Sequence, residues 1–437
     1  MRLTALLLAV CLLLCGCQSG EVSASSRQVT SAVTTPPAVT DAAMTTTAIA
    51  ATTVATTSVR TTSATTAATT TATVIPSEQI LLDEMSLEEK VGQLFLLPVT
   101  TPTLSDSESD LFETIKPCGY IFFADAISSL DQFRTLITEL YDAARIKPFF
   151  SVDQEGGRVR RLKSNDSFTV SDIPPMKSVG ETNDPAYAHN VGVVTASELR
   201  VFGFNMDFAP VADVYSNPNN KVIGDRAFSS DPETAAVLSS AFADGLISRG
   251  VIPVAKHFPG HGDTTQDSHH GYAVSDKSLE ALYETELIPF MELIGRDIPA
   301  IMAAHVSLPQ ITGDSTPCTM SYAIITGLLR EELGFDGVVI TDALNMGAIA
   351  NHYTPGEAAV NAISAGCDIL LMPSDPQLAY ETVLDAVQSR IISEERLDES
   401  VLRILKLKLQ YDIGDRLSFA NPALLNCKLH RQLLFHS

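Results

Sequence analysis

Short apolar runs alternate with segments of helical periodicity over residues 75–415, and this alternation most constrains how the chain can fold. Strands separated by helices favour a parallel sheet whose two faces are covered by helices. With eight such runs, the sequence predicts an α/β fold, a TIM-like (β/α)8 barrel. The predicted strands are Gln93–Val99, Gly119–Phe123, Pro148–Val152, Met206–Val211, Val251–Ala255, Ala300–Ala304, Gly337–Ile340 and Asp368–Met372.

An open, doubly wound sheet is the alternative architecture. It is less favoured because no GxGxxG motif follows the first strand and the polar motifs are spread over many strand ends. Helical patterns cover Leu130–Ala144, Ala186–Phe202, Thr234–Arg249, Leu279–Ile294, Ala323–Leu333 and residues 395–411, and Met85-Ser-Leu-Glu-Glu89 has the pattern of a capped helix start.

The N-terminus has the pattern of a secretion signal. Met1-Arg2 is basic, and Leu3–Leu14 is apolar but short for a membrane span. The following Leu14-Cys15-Gly16-Cys17 resembles the bacterial lipobox, which predicts a lipoprotein signal peptide over 1–16 and acylation of Cys17. We therefore expect an extracytoplasmic protein held at the bacterial cell membrane by a lipid anchor only. A cleaved signal without lipid is the alternative.

Composition sets the remaining domain boundaries. Residues 17–74 are rich in Thr, Ala and Ser and form a predicted low-complexity linker, residues 75–415 the predicted barrel domain, and 416–437 a short tail. A net charge of −23 argues against nucleic acid as a partner. We expect a monomer. The cysteines left after residue 17 have no zinc-ribbon spacing, and their pattern assigns no disulfide.

Polar groups follow nearly every predicted strand, and in a barrel these strand ends converge on one face. The densest segment is Lys256-His-Phe-Pro-Gly-His-Gly-Asp-Thr-Thr-Gln-Asp-Ser-His269, in which Gly260 and Gly262 permit sharp turns and Pro259 stiffens them. The others are Asp153-Gln-Glu-Gly-Gly-Arg-Val-Arg-Arg161, Asp207, Asp213, Val222-Ile-Gly-Asp-Arg-Ala-Phe228, His305 and Thr341-Asp-Ala-Leu-Asn-Met346.

These motifs resemble glycoside hydrolase family 3, in particular its bacterial β-N-acetylglucosaminidase branch. The similarity covers residues 77–415 and is most specific in Lys256–Thr264 with the trailing Asp267-Ser-His269. It implies a retaining exo-hydrolase that removes terminal β-linked N-acetylglucosamine, without cofactor or metal. Because of the predicted signal and linker, peptidoglycan fragments or chitin-type oligosaccharides outside the membrane are the expected glycan substrates.

The resemblance also implies roles for individual residues. Asp342 takes the position of the nucleophile, and His269 that of the acid/base, oriented by Asp267; His270 is the alternative acid/base. The residues at sugar-binding positions are Asp153, Arg161, Arg226, Lys256 and His257.

Other readings of the same residues remain open. His257, His261, Asp263 and His269 could be metal ligands, although Pro259 disfavours the helix that their spacing would need. A β-N-acetylglucosaminide phosphorylase is the closest enzymatic rival, since a histidine would not repel phosphate. A wall-glycan-binding lipoprotein without catalysis and an aldolase-like enzyme using Lys256 are rivals of other classes.

Overall fold

The computed structural model describes residues 77–264, 273–414 and 416–435. Cys17 and the predicted linker, as well as Asp267, His269 and His270, lie outside the described residues.

Eight parallel strands form the central sheet, and their order around it is β10-β1-β2-β3-β4-β5-β7-β9. A parallel bridge between Ile340 and Ile369 joins the last strand to the first, so the sheet returns on itself as a barrel. A second sheet pairs β6 with β8 in parallel. The strands are β1 (Phe95–Val99), β2 (Gly119–Phe122), β3 (Phe149–Val152), β4 (Met206–Asp207), β5 (Ile252–Phe258), β6 (Ala273–Val274), β7 (Ala300–Ala303), β8 (Val306–Ser307), β9 (Val338–Thr341) and β10 (Leu370–Leu371).

The predicted TIM-like barrel is thus confirmed, and each predicted strand overlaps one strand of the central sheet. One boundary matters for function: β5 continues to Phe258 rather than ending at Ala255, so Lys256 and His257 are part of the strand itself. β3, β7 and β9 are fully buried, as expected when helices cover the outside of a parallel sheet.

Helices connect the strands and cover the barrel. They are α1 (Ser77–Asp83), α2 (Leu87–Gly92), α3 (Asp106–Ile115), α4 (Leu130–Ala143), α5 (Met176–Thr182), α6 (Pro185–Phe202), α7 (Pro232–Ile247), α8 (Leu279–Glu284), α9 (Leu287–Gly295), α10 (Pro309–Thr312), α11 (Gly347–Ala350), α12 (Pro355–Ala365), α13 (Pro376–Gln388), α14 (Glu394–Gln410) and α15 (Lys428–Leu434), with a π-helix over Ala323–Glu332. None of the helices in the described part of the chain is long and apolar enough to cross a membrane.

Two local predictions about helices have different outcomes. The capped start is confirmed: Ser86 accepts from the Glu89 amide, and the Glu89 side chain accepts from the Ser86 amide. The single helix predicted over Leu279–Ile294 is wrong, because the chain breaks between α8 and α9. At this break the carboxylate of Glu286 is buried and accepts from Lys277 Nζ at 2.6 and 2.8 Å, a contact that hydrophobic periodicity does not encode.

The C-terminal tail packs back onto α6. Glu198 of α6 is buried and accepts hydrogen bonds from the amides of Ser171 and Asn426, and it lies 3.2 Å from His430 Nδ1. One carboxylate therefore joins the tail to the segment that follows β3. The cysteines at positions 118, 318, 367 and 427 are free thiols.

Candidate active site

Polar side chains from five strands meet at the carboxyl end of the barrel. Asp153 follows β3, Asp207 ends β4, Lys256 and His257 lie in β5, and Asp342 follows β9. His305, which follows β7, is also buried at this end. The convergence expected from the strand ends is thus present in the structure.

A buried lysine joins two of the carboxylates. Lys256 Nζ lies 2.7 Å from Asp153 Oδ1 and 2.6 Å from Glu155 Oε1, and Lys256 is 2% exposed. Burial by itself lowers the pKa of Lys256, but the charges of Asp153 and Glu155 raise it above its ordinary value. Lys256 is therefore a permanent, buried cation within the site.

Arg226 completes this network from the segment between β4 and α7. Its Nε and Nη2 donate to Glu155 Oε2 and Oε1 at 2.7 and 2.8 Å, the two-pronged geometry that guanidinium groups favour. Burial alone would raise the pKa of Glu155, whereas Arg226 and Lys256 hold it well below its usual range. Glu155 was not among the predicted site residues; its place two residues after Asp153 was the available signal.

Arg161 contacts Asp153 from the opposite side. Its Nη2 donates to Asp153 Oδ2 at 3.0 Å, and its guanidinium lies 5.3 Å from the centre of the Phe123 ring. The neighbouring arginines point elsewhere, since Arg158 pairs with Asp225 and Arg160 with Asp172. The structure thus brings together Asp153, Arg161, Arg226, Lys256 and His257, all five predicted binding residues.

His257 is held by a carboxylate behind it. Its Nδ1 lies 2.7 Å from Asp213 Oδ2, and its Nε2 lies 3.3 Å from Arg226 Nη2. Since a carboxylate only accepts and a guanidinium only donates, Nδ1 donates and Nε2 accepts. Burial alone would raise the pKa of Asp213, but His257 and His261 lower it. Asp213 was noted at a strand end without a role, and it orients His257.

The turn after β5 requires its glycines. Gly260 has φ of +135°, and a Cβ there would lie 2.6 Å from Glu286 Cβ. A Cβ on Gly262 would collide with the backbone oxygen of Val214. The same turn lets the His261 amide donate to Asp213 Oδ1 at 2.6 Å. The turn therefore packs tightly against Val214 and Glu286, with no room for a side chain at either glycine.

Asp342 is ionised and fixed by its own backbone. Its Oδ1 accepts from the Ala343 amide at 2.7 Å, and its amide donates to Ala303 O at 2.8 Å. Burial raises the pKa of Asp342, but nearby His305 and His257 and the Ala343 amide lower it below its ordinary value. A partly exposed, oriented carboxylate of this kind can attack an electrophilic carbon.

His305 supports this carboxylate indirectly. Its Nε2 donates to Ala343 O at 3.0 Å, and its Nδ1 lies 2.9 Å from Thr319 Oγ1. Burial lowers the pKa of His305, which favours the neutral imidazole. His305 was noted only as a strand-end residue; the structure makes it a positioning residue for the Asp342–Ala343 turn.

Asp207 differs from the other carboxylates of this end. It is fully buried, and Oδ1 accepts from the Gln154 amide at 2.9 Å while Oδ2 has no hydrogen bond to any part of the protein that the structure describes. Burial raises the pKa of Asp207 to about 8, and Asp153 and Glu155 add to this effect. Asp207 is therefore protonated at neutral pH.

The suggested metal ligands are engaged in other contacts where they can be described. His257 pairs with Asp213, and His261 Nδ1 lies 2.7 Å from Thr264 Oγ1. Within 77–264, 273–414 and 416–435, no three His, Cys, Asp or Glu side chains are placed to hold a metal ion.

Comparisons with known proteins agree with this geometry. The sequence model of the glycosyl hydrolase family 3 N terminal domain matches residues 86–407. Beta-hexosaminidase A of Pseudoalteromonas piscicida is 35% identical over 357 residues, which cover 76% of this chain and 60% of that protein. A beta-hexosaminidase of Stenotrophomonas maltophilia is 36% identical over 312 residues, covering 70% and 90% of the two chains.

Among solved structures, a family 3 beta-N-acetylglucosaminidase from Paenibacillus superposes with a TM-score of 0.76 at 38% identity. The superposition covers 80% of this chain and 68% of that one. The match to the family model extends over most of the described barrel and includes every strand-end residue discussed above. The chain belongs to glycosyl hydrolase family 3, as its motifs predicted, and is a glycoside hydrolase.

Proposed function

We propose that the protein is a retaining, exo-acting β-N-acetylhexosaminidase that removes terminal β-linked N-acetylglucosamine. The observation that carries this proposal is that an ionised Asp342 and the buried network around Lys256 lie at the same end of the barrel. The names of the similar proteins, beta-hexosaminidase and beta-N-acetylglucosaminidase, support the choice of sugar.

The network is suited to holding a sugar ring. Asp153 is partly exposed while Glu155 is buried, so Asp153 is the carboxylate that can accept from sugar hydroxyls. Lys256 and Arg161 fix its two oxygens at 2.7 and 3.0 Å, which removes its freedom to rotate before substrate arrives. His257, held by Asp213, contributes a second fixed polar group.

The chemical step follows the double-displacement scheme of retaining glycosidases. A carboxylate oxygen of Asp342 attacks the anomeric carbon, the glycosidic C–O bond breaks, and the leaving oxygen takes a proton from His269. Water then gives a proton to His269 and attacks the same carbon, which releases the sugar and the Asp342 carboxylate. Asp267 is the proposed partner that orients His269.

Location and natural substrate are also part of the proposal. The signal and lipobox-like sequence at 1–17 and the linker over 17–74 would place the barrel outside the membrane, tethered through acylated Cys17. Peptidoglycan fragments or chitin-type oligosaccharides with free non-reducing ends are the substrates available there. The Cys17→Ser variant tests the anchor, with the distribution of the protein between membrane and soluble fractions as the measurement. Release into the soluble fraction supports the lipid anchor, and unchanged membrane association contradicts it.

The activity is tested with 4-nitrophenyl β-N-acetylglucosaminide and the matching β-glucoside, each with and without phosphate. We expect nitrophenol release from the N-acetyl substrate without phosphate, abolished in Asp342→Ala and strongly reduced in His269→Ala. Phosphate-dependent release with formation of a sugar 1-phosphate would replace the hydrolase by a phosphorylase. A folded protein that cleaves neither substrate would favour the non-catalytic glycan-binding alternative.

A further inference from the structure

A second cavity lies at the end of the barrel opposite Asp342, where the strands begin. Its walls include Phe150 near the start of β3, Asn205 just before β4 and Gly250 just before β5. Its volume is about 440 Å³, within the range of pockets that take small organic ligands. Because the catalytic side chains follow the strand ends, this cavity is separate from the proposed active site.

Three arginines line this cavity, in a chain whose formal net charge is −23. They are Arg200 at the end of α6, Arg249 after α7 and Arg416 in the tail. The side chains of Arg249 and Arg416 make no hydrogen bond or ion pair to the residues that the structure describes. Among the lining residues that the structure describes, Asp412 is the one carboxylate, so the guanidinium groups outnumber it there.

Arg200, unlike Arg249 and Arg416, makes side-chain hydrogen bonds to described residues, and its partners are neutral. Its Nη2 donates to Ser418 Oγ at 2.8 Å, and its Nη1 lies 3.5 Å from Phe204 O. Burial lowers the pKa of Arg200, and none of the described carboxylates acts against this effect. A mostly buried cation without a counter-charge is stabilised when an anion enters beside it.

We propose that this cavity, here named the arginine pocket and lined by Arg200, Arg249 and Arg416, binds a small organic oxyanion. Guanidinium groups match phosphate and carboxylate oxygens in two-pronged hydrogen bonds. The rings of Tyr141 and Tyr411, which also line the pocket, offer apolar surface to the rest of such a ligand. The pocket is independent of the reaction proposed above.

The full chain is titrated with inorganic phosphate and with citrate in chloride buffer by calorimetry, and phosphate binding is also followed by ³¹P line width. The test variant is Arg249→Gln with Arg416→Gln, which leaves the hydrogen bonds of Arg200 intact. Arg390→Gln, on an exposed turn after α13, is the matched control. We expect saturable binding of at least one anion, weakened at least tenfold in the double variant and unchanged in the control.

The two probes distinguish the source of the oxyanion. Preference for phosphate indicates a phosphate ester as ligand, and preference for citrate indicates a polycarboxylate; either outcome supports the pocket. Absence of saturable binding of both anions would overturn the proposal. Binding that survives in the double variant would also overturn it, because the anion would then be held elsewhere, for example near Asp342.

Discussion

Two buried lysines occupy opposite ends of the barrel and have opposite electrostatic surroundings. Lys256 and Lys408 are each 2% exposed. Lys256, at the carboxyl end, contacts two carboxylates, and its pKa is raised. Lys408, on α14, donates to the oxygens of Cys118 and Lys147 at 2.8 and 2.7 Å, and burial lowers its pKa to about 8.

The difference shows how the same side chain serves two purposes. Carboxylate partners keep Lys256 charged and oriented at the proposed substrate site. Carbonyl partners satisfy the three N–H donors of Lys408 but do not balance its charge, so its contribution is structural and depends on pH. Burial of an ionisable group therefore indicates a functional site only when the partners are considered as well.

The largest effect on kcat is expected at Asp342, and a carboxylate at the other end of the same strand provides the control. Asp342 follows β9, and Asp336 precedes it with its side chain 80% exposed. Asp342→Asn should lower kcat by roughly a thousandfold or more, because the proposed nucleophile is lost. Asp336→Asn should leave kcat unchanged. Equal rates for the two variants in a chromogenic assay would contradict the role of Asp342.

Replacing each of the two lysines with methionine tests whether they differ in function. Lys256→Met should lower kcat/KM by roughly a hundredfold, about 3 kcal/mol, because Asp153 loses its orienting partner and Glu155 is left with Arg226 alone. Lys408→Met should retain kcat/KM near the unaltered value. Circular dichroism verifies that both variants fold. A comparable loss of activity in both would mean that the two ends are not functionally distinct.

Asp207 provides a further contrast in charge at the carboxyl end of the barrel. It is protonated, whereas Glu155 and Asp342 at the same end are ionised. Its folded pKa of about 8 lies above the unfolded value, so the folded state holds the extra proton and stability falls as pH rises from 4 towards 8. Between pH 5 and pH 8, the free energy of unfolding should decrease by on the order of 3 kcal/mol because of Asp207. This decrease should be absent in Asp207→Asn. Urea unfolding at both pH values measures it, and Asp336→Asn is the control. An unaltered pH dependence would show that Asp207 is already ionised.

Lys408 should make the free energy of unfolding increase with pH, opposite to the effect of Asp207, and it should do so at higher pH. Its folded pKa of about 8 lies below the unfolded value, so the unfolded state binds more protons and stability rises as pH increases from 8 towards 10. The gain should be on the order of 2 kcal/mol, and it should be absent in Lys408→Met. Lys406→Met, an exposed position on the same helix, is the control for unfolding measurements. Parallel pH curves for the protein and Lys408→Met would rule out this assignment.

The smallest effect is expected at Arg161, whose side chain is 27% exposed. Arg161→Gln removes one charged hydrogen bond to Asp153 and should raise KM about threefold to tenfold with little change in kcat. Arg158→Gln, which removes a pair with Asp225 rather than Asp153, should leave KM unchanged. If Arg158→Gln raised KM as much as Arg161→Gln, the register assigned to the three arginines would be wrong.

Much of the fold follows from the sequence because buried parallel strands are continuous apolar runs, and each run here overlaps a strand. β6 and β8 were not predicted, since neither short pair lies within a longer apolar run such as those that contain β4 and β10. The break between α8 and α9 was missed, although Pro289 inside the predicted helix favours a new helix start, and Pro289 is the third residue of α9.

For the site, strand ends identified Asp153, Lys256 and Asp342, since topology brings such positions together. Sequence could not rank Glu155, because its importance comes from burial between Lys256 and Arg226. The role of Asp213 depends on contact with a histidine 44 positions away, which no local spacing reveals.

Asp342 is proposed to form a covalent bond to the sugar, and the anomer released first by hydrolysis tests this bond most directly. Proton NMR of 4-nitrophenyl β-N-acetylglucosaminide hydrolysis resolves the two anomers before they equilibrate. Two displacements at the anomeric carbon predict that the β-anomer appears first. Initial formation of the α-anomer would show direct attack by water and contradict the account.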